Sequence, residues 1–227
     1  MIASDFEGPR NQTTVAYEAI RAGILTGAHA PEKKLKIQEL AEALDLSPSA
    51  IREALSRLVP ENLVVSRDQR GFIVAPLSAS DLEDLTNLRC EIEAVALRQS
   101  LALGDVHWEA GILAAEHRLR SNALVRPDED PRVAWTRNHA SFHSALVSAC
   151  GSPRLLGLHS QLYEQSERYR QLSFYVETDR DVGAEHSEIT QYALARDTES
   201  LVRATVEHLR KTTALIVEAF ARQPANA

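Results

Sequence analysis

The chain of 227 residues is poor in cysteine and has no long apolar run. Its two cysteines, Cys90 and Cys150, are too few for a disulfide framework and fit a reducing compartment. No apolar stretch approaches the roughly 20 residues that a membrane-spanning helix needs. The first residues, MIASDFEGPRNQTT, lack the basic start and apolar centre of a signal peptide. We therefore expect a cytoplasmic protein without a membrane partner.

Positive charge is also scarce, since the formal net charge is −7. The excess of negative charge is unevenly distributed along the chain. Residues 1–78 hold 9 Lys and Arg against 10 Asp and Glu, a net of −1, whereas residues 79–227 hold 16 against 22, a net of −6. DNA affinity depends on which phosphates meet Lys or Arg rather than on the total charge. The first 78 residues could therefore still present a basic face to DNA.

Residues 13–78 have the pattern of a winged helix-turn-helix. Residues 1–12 have little apolar content, and we expect them to form a flexible arm. Thr13 or Thr14 could cap the first helix, and Ser47-Pro48 is a strong start signal for the third. We predict helices at 13–25, 37–44 and 48–58, then short strands at 63–66 and 72–75 joined by a polar turn.

The second helix of such a motif enters the major groove, where its first exposed residues meet base edges. Arginine can bond guanine in two places, free N–H groups at a helix start bind phosphate, and glycine lets the turn of the wing close. We predict DNA contacts from Lys36, Ser47, Ser49, Arg52, Arg57, Arg67, Arg70 and Gly71. A helical hairpin with an ordinary charged surface is the alternative interpretation.

From residue 79 onward only helical periodicity remains. Glycine and proline divide it into predicted helices near 81–101, 106–122, 131–150, 153–175, 182–195 and 198–222. The expected fold is mainly α, with the winged helix-turn-helix followed by an antiparallel helical bundle at 79–227. Facing helices of a bundle can build ligand or metal sites.

Four histidines of the predicted bundle are candidate metal ligands. His139 and His143 lie one helical turn apart and can share an ion, and His186 and His208 follow on later helices. A histidine in a helix is more often a surface residue or a core residue with a hydrogen-bond partner. The spacing alone therefore leaves both interpretations open.

Several motifs resemble those of the GntR family of bacterial regulators. They are I-R-x-x-I-L-x-G, L-A-x-x-L, I-R-E-A-L-x-x-L, L-V and R-G-F-x-V, all within residues 14–78. The helical remainder resembles the FCD effector domain of the FadR-type subfamily. This chain departs from the family at three positions: Glu32 stands where Gly is usual, and Gln38 and Pro48 stand where Arg is usual.

The resemblance implies a metal site built from His143, His186 and His208. His139 stands where the family usually has Asp, so four neutral imidazoles would favour zinc, nickel or copper over manganese or magnesium. The family's ion commonly holds an effector carboxylate. Arg89 matches an arginine that often pairs with the effector, and an intrahelical pair with Glu93 is its alternative role. Further pocket candidates are Arg168, Tyr169 and Arg170.

The resemblance also implies a bacterial, nucleoid-associated homodimer that binds a palindromic operator in double-stranded DNA. We expect a ligand-responsive regulator, most simply a repressor, that uses zinc or nickel and a small carboxylate effector. One alternative is a regulator with a bulky acyl-CoA-like effector and no metal. Others are a constitutive DNA-binding protein and a metal-dependent hydrolase. We expect no enzyme, because the only carboxylate beside a candidate ligand is Glu185, and adjacent helical residues diverge.

Overall fold

A computed structural model describes residues 11–67, 71–121, 131–173 and 179–222. The chain forms two compact units, Met1–Ser78 and Ala79–Ala227, which are described separately. Most described residues are helical, so the prediction of a mainly α fold is confirmed. The proposed arm at 1–12 and the candidate Arg70 lie outside the described residues, except that Asn11 and Gln12 begin the first helix.

The described residues of the first unit form three helices and a small antiparallel sheet. Its elements are α1 (Gln12–Leu25), β1 (Lys34–Leu35), α2 (Ile37–Leu44), α3 (Pro48–Leu58), β2 (Val64–Arg67) and β3 (Gly71–Val74). The sheet order is β1-β3-β2, with Leu35 opposite Phe72 and Arg67 opposite Gly71. The sequence did not predict β1, because two residues are too short to show the alternation of a strand.

Apolar residues of α1 and α3 form the core of this unit. Ile20 on α1 and Ile51, Leu55 and Leu58 on α3 are almost fully buried. Asn11 caps α1 by accepting a hydrogen bond from the Thr13 backbone N–H at 3.1 Å. The predicted caps Thr13 and Thr14 are wrong, because both residues lie inside the helix.

Ser47 caps α3, as its position before a proline predicts. Its hydroxyl accepts from the Ala50 backbone N–H at 3.3 Å, and Pro48 occupies the first helical position. The cap fixes the start of the helix that we expect to enter DNA.

The second unit consists of helices in the described residues. They are α4 (Ala79–Leu103), α5 (Val106–Ser121), α6 (Pro131–Val147), α7 (Pro153–Ser173), α8 (Val182–Leu194) and α9 (Thr198–Arg222). Phe142 and Leu146 on α6 pack in one apolar cluster with Ile112 and Leu201. The indole N–H of Trp108 donates to the Ala145 carbonyl at 3.0 Å and ties α5 to α6. Among these residues, no helix combines the length and the apolar character that a membrane crossing requires.

Candidate metal centre and nucleic-acid interface

The structure brings the four predicted histidines together inside the second unit. His139 and His143 come from α6, His186 from α8 and His208 from α9. One ring nitrogen from each lies within 4.8 Å of those of the other three. The Nε2 atoms of His139 and His143 are 3.2 Å apart. This clustering joins residues that are 69 positions apart in sequence, from His139 to His208.

The four imidazoles are buried, and burial favours their neutral form. None of the four is more than 3% exposed. Burial lowers the pKa of His143 to about 3, although Glu93 opposes the shift. Burial and the neighbouring His208 lower the pKa of His186 to about 2. Burial also lowers the pKa of His139 and of His208. Neutral imidazole is the form that binds metal ions.

Two aromatic residues contact the ring of His139. The hydroxyl of Tyr163 lies 2.7 Å from His139 Nδ1. Trp135, one turn earlier on α6, stacks on the ring with centroids 4.6 Å apart and planes at 16°. With Nδ1 occupied by Tyr163, Nε2 of His139 is the nitrogen that faces His143.

A buried carboxylate lies behind His143. Glu93 is fully buried on α4, with its carboxylate 3.9 Å from His143 Nδ1 and 3.0 Å from His159 Nε2. Burial alone would raise the pKa of Glu93, but His143, His159 and Arg89 hold it below its usual range. Sequence reasoning missed Glu93 as a neighbour of the cluster and left His159 outside it. In the sequence, the i, i+4 spacing from Arg89 to Glu93 was the only indication that Glu93 lies near the candidate site.

A second carboxylate approaches His208 from α8. Glu185 Oε2 lies 2.8 Å from His208 Nδ1, and Arg180 pairs with the same carboxylate. The sequence placed Glu185 only as the neighbour of His186. Its contact with His208 depends on the packing of α8 against α9, which the sequence does not reveal.

Arg89 faces the same region from α4. Its Nη1 donates to the Ser166 hydroxyl at 2.7 Å, and its guanidinium lies 4.8 Å from the Tyr163 ring centroid. Its Nε is 3.9 Å from the Glu93 carboxylate, so the predicted intrahelical pair also exists at ion-pair distance. Nε and Nη2 are buried without a hydrogen-bond partner among the described residues.

A small cavity of about 30 Å³ lies beside Arg89 and two of the histidines, His139 and His208. Ser166 and Arg170 also line it.

The three pocket candidates on α7 differ in what they contact. Arg170 lines the cavity, pairs with Glu167 and lies 4.6 Å from the ring centroid of Trp135. Tyr169 instead donates a hydrogen bond to Asp81. Arg168 is buried, and burial lowers its pKa. Of the three, Arg170 is the one that lines this cavity.

In the first unit, an open groove brings together several of the predicted DNA contacts. Lys36, Ser49, Arg52 and Gly71 line it, and all four are exposed. Lys34 and Gln38 also line this groove. The groove thus combines the start of α2, the start of α3 and the wing strand β3.

The other predicted DNA contacts have different surroundings. Arg57 lies 4.5 Å from the ring centroid of Tyr17, which gives it a packing role in the first unit. Ser47 caps α3, and its hydroxyl is 3.3 Å from that of Ser49. Arg67 is exposed at the end of β2.

Comparison with protein families finds two matches in this chain. A model described as the FCD domain matches residues 84–211, over half of the chain. A model described as bacterial regulatory proteins, gntR family, matches residues 12–74. The two matched segments fall in the second and first compact units, respectively.

Curated relatives match almost the whole chain. The chain is 37% identical over 211 residues to the HTH-type transcriptional regulator BphR of Paraburkholderia xenovorans, covering 91% of this chain and 86% of that protein. It is 32% identical over 210 residues to the HTH-type transcriptional repressor GlaR of Escherichia coli, covering 90% and 96%.

Solved structures support the same fold. Escherichia coli McbR/YncC has a TM-score of 0.75 at 19% identity and covers 92% of this chain and 99% of its own. A GntR family regulator from Pseudomonas syringae has a TM-score of 0.54 at 26% identity, with coverage of 93% and 87%.

Proposed function

The chain belongs to the FCD-containing branch of the GntR family of bacterial regulators, and we propose that it is a repressor controlled by a divalent metal ion and a small organic acid. The family and its relatives are DNA-binding transcription regulators rather than enzymes. We assign DNA binding to residues 13–78. Metal binding, effector binding and homodimer formation are assigned to residues 79–227.

The buried cluster of four neutral histidines carries this proposal. Two ligands held 2.0–2.1 Å from a shared ion at a tetrahedral angle are about 3.3 Å apart. The His139 and His143 Nε2 atoms are 3.2 Å apart. His186 Nε2 is buried without a hydrogen-bond partner among the described residues, so it is free to bind an ion. A donor set of neutral imidazoles fits zinc or nickel better than manganese or magnesium.

Arg89 supports a carboxylate effector. Its Nε and Nη2 atoms lack hydrogen-bond partners in the described part of the chain, and a guanidinium edge suits two parallel bonds to a carboxylate. Ser166 and Tyr163 hold the guanidinium beside the cavity that His139 and His208 also line. When bound, the ion would offer open coordination positions to that carboxylate. Arg89 would orient the acid, and burial would exclude competing water.

The size of the cavity supports a small acid over a bulky acyl-CoA. A volume of about 30 Å³ leaves room for a group of only a few atoms. A long acyl chain would have to separate α4, α7 and α9. The Thr86 and Thr213 hydroxyls, 2.7 Å apart, join α4 to α9 at this point.

On the DNA side, Arg52 is the main proposed reader of bases. It lies exposed on α3 in the groove with Lys36, Ser49 and Gly71. Further proposed DNA contacts are Ser47, Arg57, Arg67 and Arg70. A homodimer would place two such surfaces on the half-sites of a palindromic operator. The relative named a repressor supports repression as the sign of control.

The metal is tested by elemental analysis of the purified chain. We expect about one zinc or nickel ion per chain, and its loss in His143→Ala. His117→Ala is the matched control, because it removes an exposed histidine and should keep the metal. Absence of metal from the wild-type chain after incubation with zinc and nickel would refute the metal centre.

The effector site is tested by thermal unfolding of the metal-loaded chain with acetate, malonate or succinate as probes. We expect at least one of these acids to raise the midpoint temperature of unfolding of the wild-type chain. Arg89→Met should abolish this rise while its metal content stays equal to that of the wild type. Palmitoyl-CoA serves as the bulky probe. A rise with palmitoyl-CoA alone would favour the bulky-effector alternative.

The operator is tested by selection of bound sequences from random double-stranded DNA. We expect enrichment of a palindrome, and Arg52→Ala should weaken its binding. Enrichment of a single asymmetric half-site would contradict the dimer model.

A further inference from the structure

The contact between Glu185 and His208 leads beyond the four ligands themselves. We propose that Glu185 is a positioning residue of the metal centre, which accepts a hydrogen bond from Nδ1–H of His208 and leaves Nε2 of that ring to bind the ion. This inference rests on the proposed function, because it concerns the same centre.

The geometry favours one tautomer of His208. Its Nδ1 lies 2.8 Å from Glu185 Oε2, a normal hydrogen-bond distance. An ionised carboxylate can only accept hydrogen bonds, so Nδ1 must carry the proton. Arg180 pairs with both oxygens of Glu185, which favours the ionised carboxylate. Nε2 of His208 is then the nitrogen with a free lone pair.

Arg180 fixes the carboxylate in this position. Its Nε donates to Glu185 Oε1 at 2.7 Å, and its Nη2 donates to Oε2 at 2.5 Å. The same Nη2 donates to the backbone carbonyl of His208 at 2.9 Å, and Nη1 donates to the Thr212 hydroxyl at 2.8 Å. Arg180 thus ties the start of α8 to α9 around the ligand candidate.

The position of Arg180 also argues against the other tautomer. Its Nη2 lies 3.2 Å from His208 Nδ1, so an unprotonated Nδ1 could in principle accept from it. Nη2 has only two hydrogens, however, and Glu185 and the His208 carbonyl use both at shorter distances. The N–H of His208 therefore belongs on Nδ1.

Charge gives this contact its function. Four neutral imidazoles supply no ligand charge. A buried divalent ion is costly without nearby negative charge. Through its hydrogen bond to His208, Glu185 would bring negative charge close to the centre and would make the His208 ring more basic. Such carboxylate–histidine pairs typically change metal affinity by 10–100-fold.

The tautomer of His208 in the metal-free chain is the first test. Long-range ¹H–¹⁵N spectra of the ¹⁵N-histidine-labelled protein distinguish Nδ1–H from Nε2–H rings. We expect Nδ1–H for His208 in the wild-type chain and in Glu185→Gln, whose amide oxygen can still accept. Glu185→Ala should lose this preference. An unchanged His208 tautomer in Glu185→Ala would overturn the proposal, and circular dichroism checks that the variant keeps its helices.

Zinc affinity, measured by competition with a chelator, is the second test. We expect a loss of about 10–100-fold in Glu185→Ala and a smaller loss in Glu185→Gln. The matched control is Glu188→Gln on the same helix, which removes an equal charge from a residue that contacts Tyr192. Equal losses in Glu188→Gln and Glu185→Gln would overturn the role of the contact. A wild-type chain that binds neither zinc nor nickel would refute the metal centre itself, while the tautomer would still show whether Glu185 orients His208.

Discussion

Acid should unfold the metal-free second unit with an unusually steep pH dependence. The buried histidines have lower pKa values in the folded chain than the ordinary value of about 6.5. Below pH 6.5 the unfolded chain therefore binds protons that the folded chain excludes. Stability is at its full value above this pH and is lost as the pH falls.

The magnitude is worked from His143 and His186. Each proton that binds only to the unfolded chain lowers the free energy of unfolding by about 1.4 kcal/mol per pH unit below 6.5. With folded pKa values of about 3 for His143 and about 2 for His186, each contributes a loss of about 2 kcal/mol between pH 7.5 and pH 5.0. His139 and His208 add to it in the same direction. Glu93 contributes below its ordinary pKa of 4.5, outside this window.

Tryptophan fluorescence is a selective assay for this effect. Trp108 and Trp135 are the only tryptophans of the chain, and both lie in the second unit. Urea unfolding at several pH values, after removal of metal with a chelator, would give the free energy of unfolding of that unit. The total loss between pH 7.5 and pH 5.0 should be about 4 kcal/mol or more.

The assignment to particular rings is tested by substitution. His143→Gln should reduce the pH-dependent loss by about 2 kcal/mol, because one buried titrating group is gone. His117→Gln removes an exposed histidine and should leave the loss unchanged. A stability that stays flat between pH 7.5 and pH 5.0 would refute the reasoning, as would equal losses in wild type and His143→Gln.

Four further substitutions test packing, capping, backbone strain and DNA contact. Phe142→Ala, at a fully buried position, should destabilise the second unit by about 3–5 kcal/mol in the same urea assay. Ser47→Ala should cost the first unit about 1 kcal/mol, measured by amide hydrogen exchange in α3. Glu32 has a φ of 63°, so Glu32→Gly should slow exchange in the first unit by relieving roughly 1 kcal/mol of strain. Arg52→Ala should weaken operator binding by about 1–3 kcal/mol and relax the base preference at the position that it reads, measured by titration of the wild-type operator and of single-base variants.

Most helices could be predicted because their signals are local. Ser47-Pro48 begins α3, and the spacing of Ile51, Leu55 and Leu58 defines its buried face. The predicted starts of α5 and α8, at residues 106 and 182, agree with the structure. The longest differences are at helix ends, such as α6, which ends at Val147 rather than at residue 150.

The parts that were missed depend on contacts between distant segments. β1 exists only because Lys34 and Leu35 pair with β3. Asn11 rather than a threonine caps α1, and the polar run from Asn11 to Thr14 does not reveal which residue precedes the helix. The left-handed backbone at Glu32 was hidden as well, although the glycine usual at this position in the family was a hint.

The same distinction applies to the candidate site. The i, i+4 spacing of His139 and His143 suggested a shared face, and family resemblance was needed to join His186 and His208 to them. The residues that contact the candidate ligands could not be predicted from the sequence, because these contacts join different helices. Arg180 meets His208 across 28 residues, and Tyr163 meets His139 across 24.

The distribution of polar groups inside the second unit supports the proposed ligand site. One part of the core is apolar, where Trp108, Ile112 and Phe142 pack. The other part buries Arg89 and Glu93 with the histidine cluster, and several of these polar atoms have no hydrogen-bond partner among the described residues. Each such atom costs about 1–3 kcal/mol of stability. A metal ion and a carboxylate would satisfy the histidine and arginine nitrogens together, so binding and stability of the bundle must be linked.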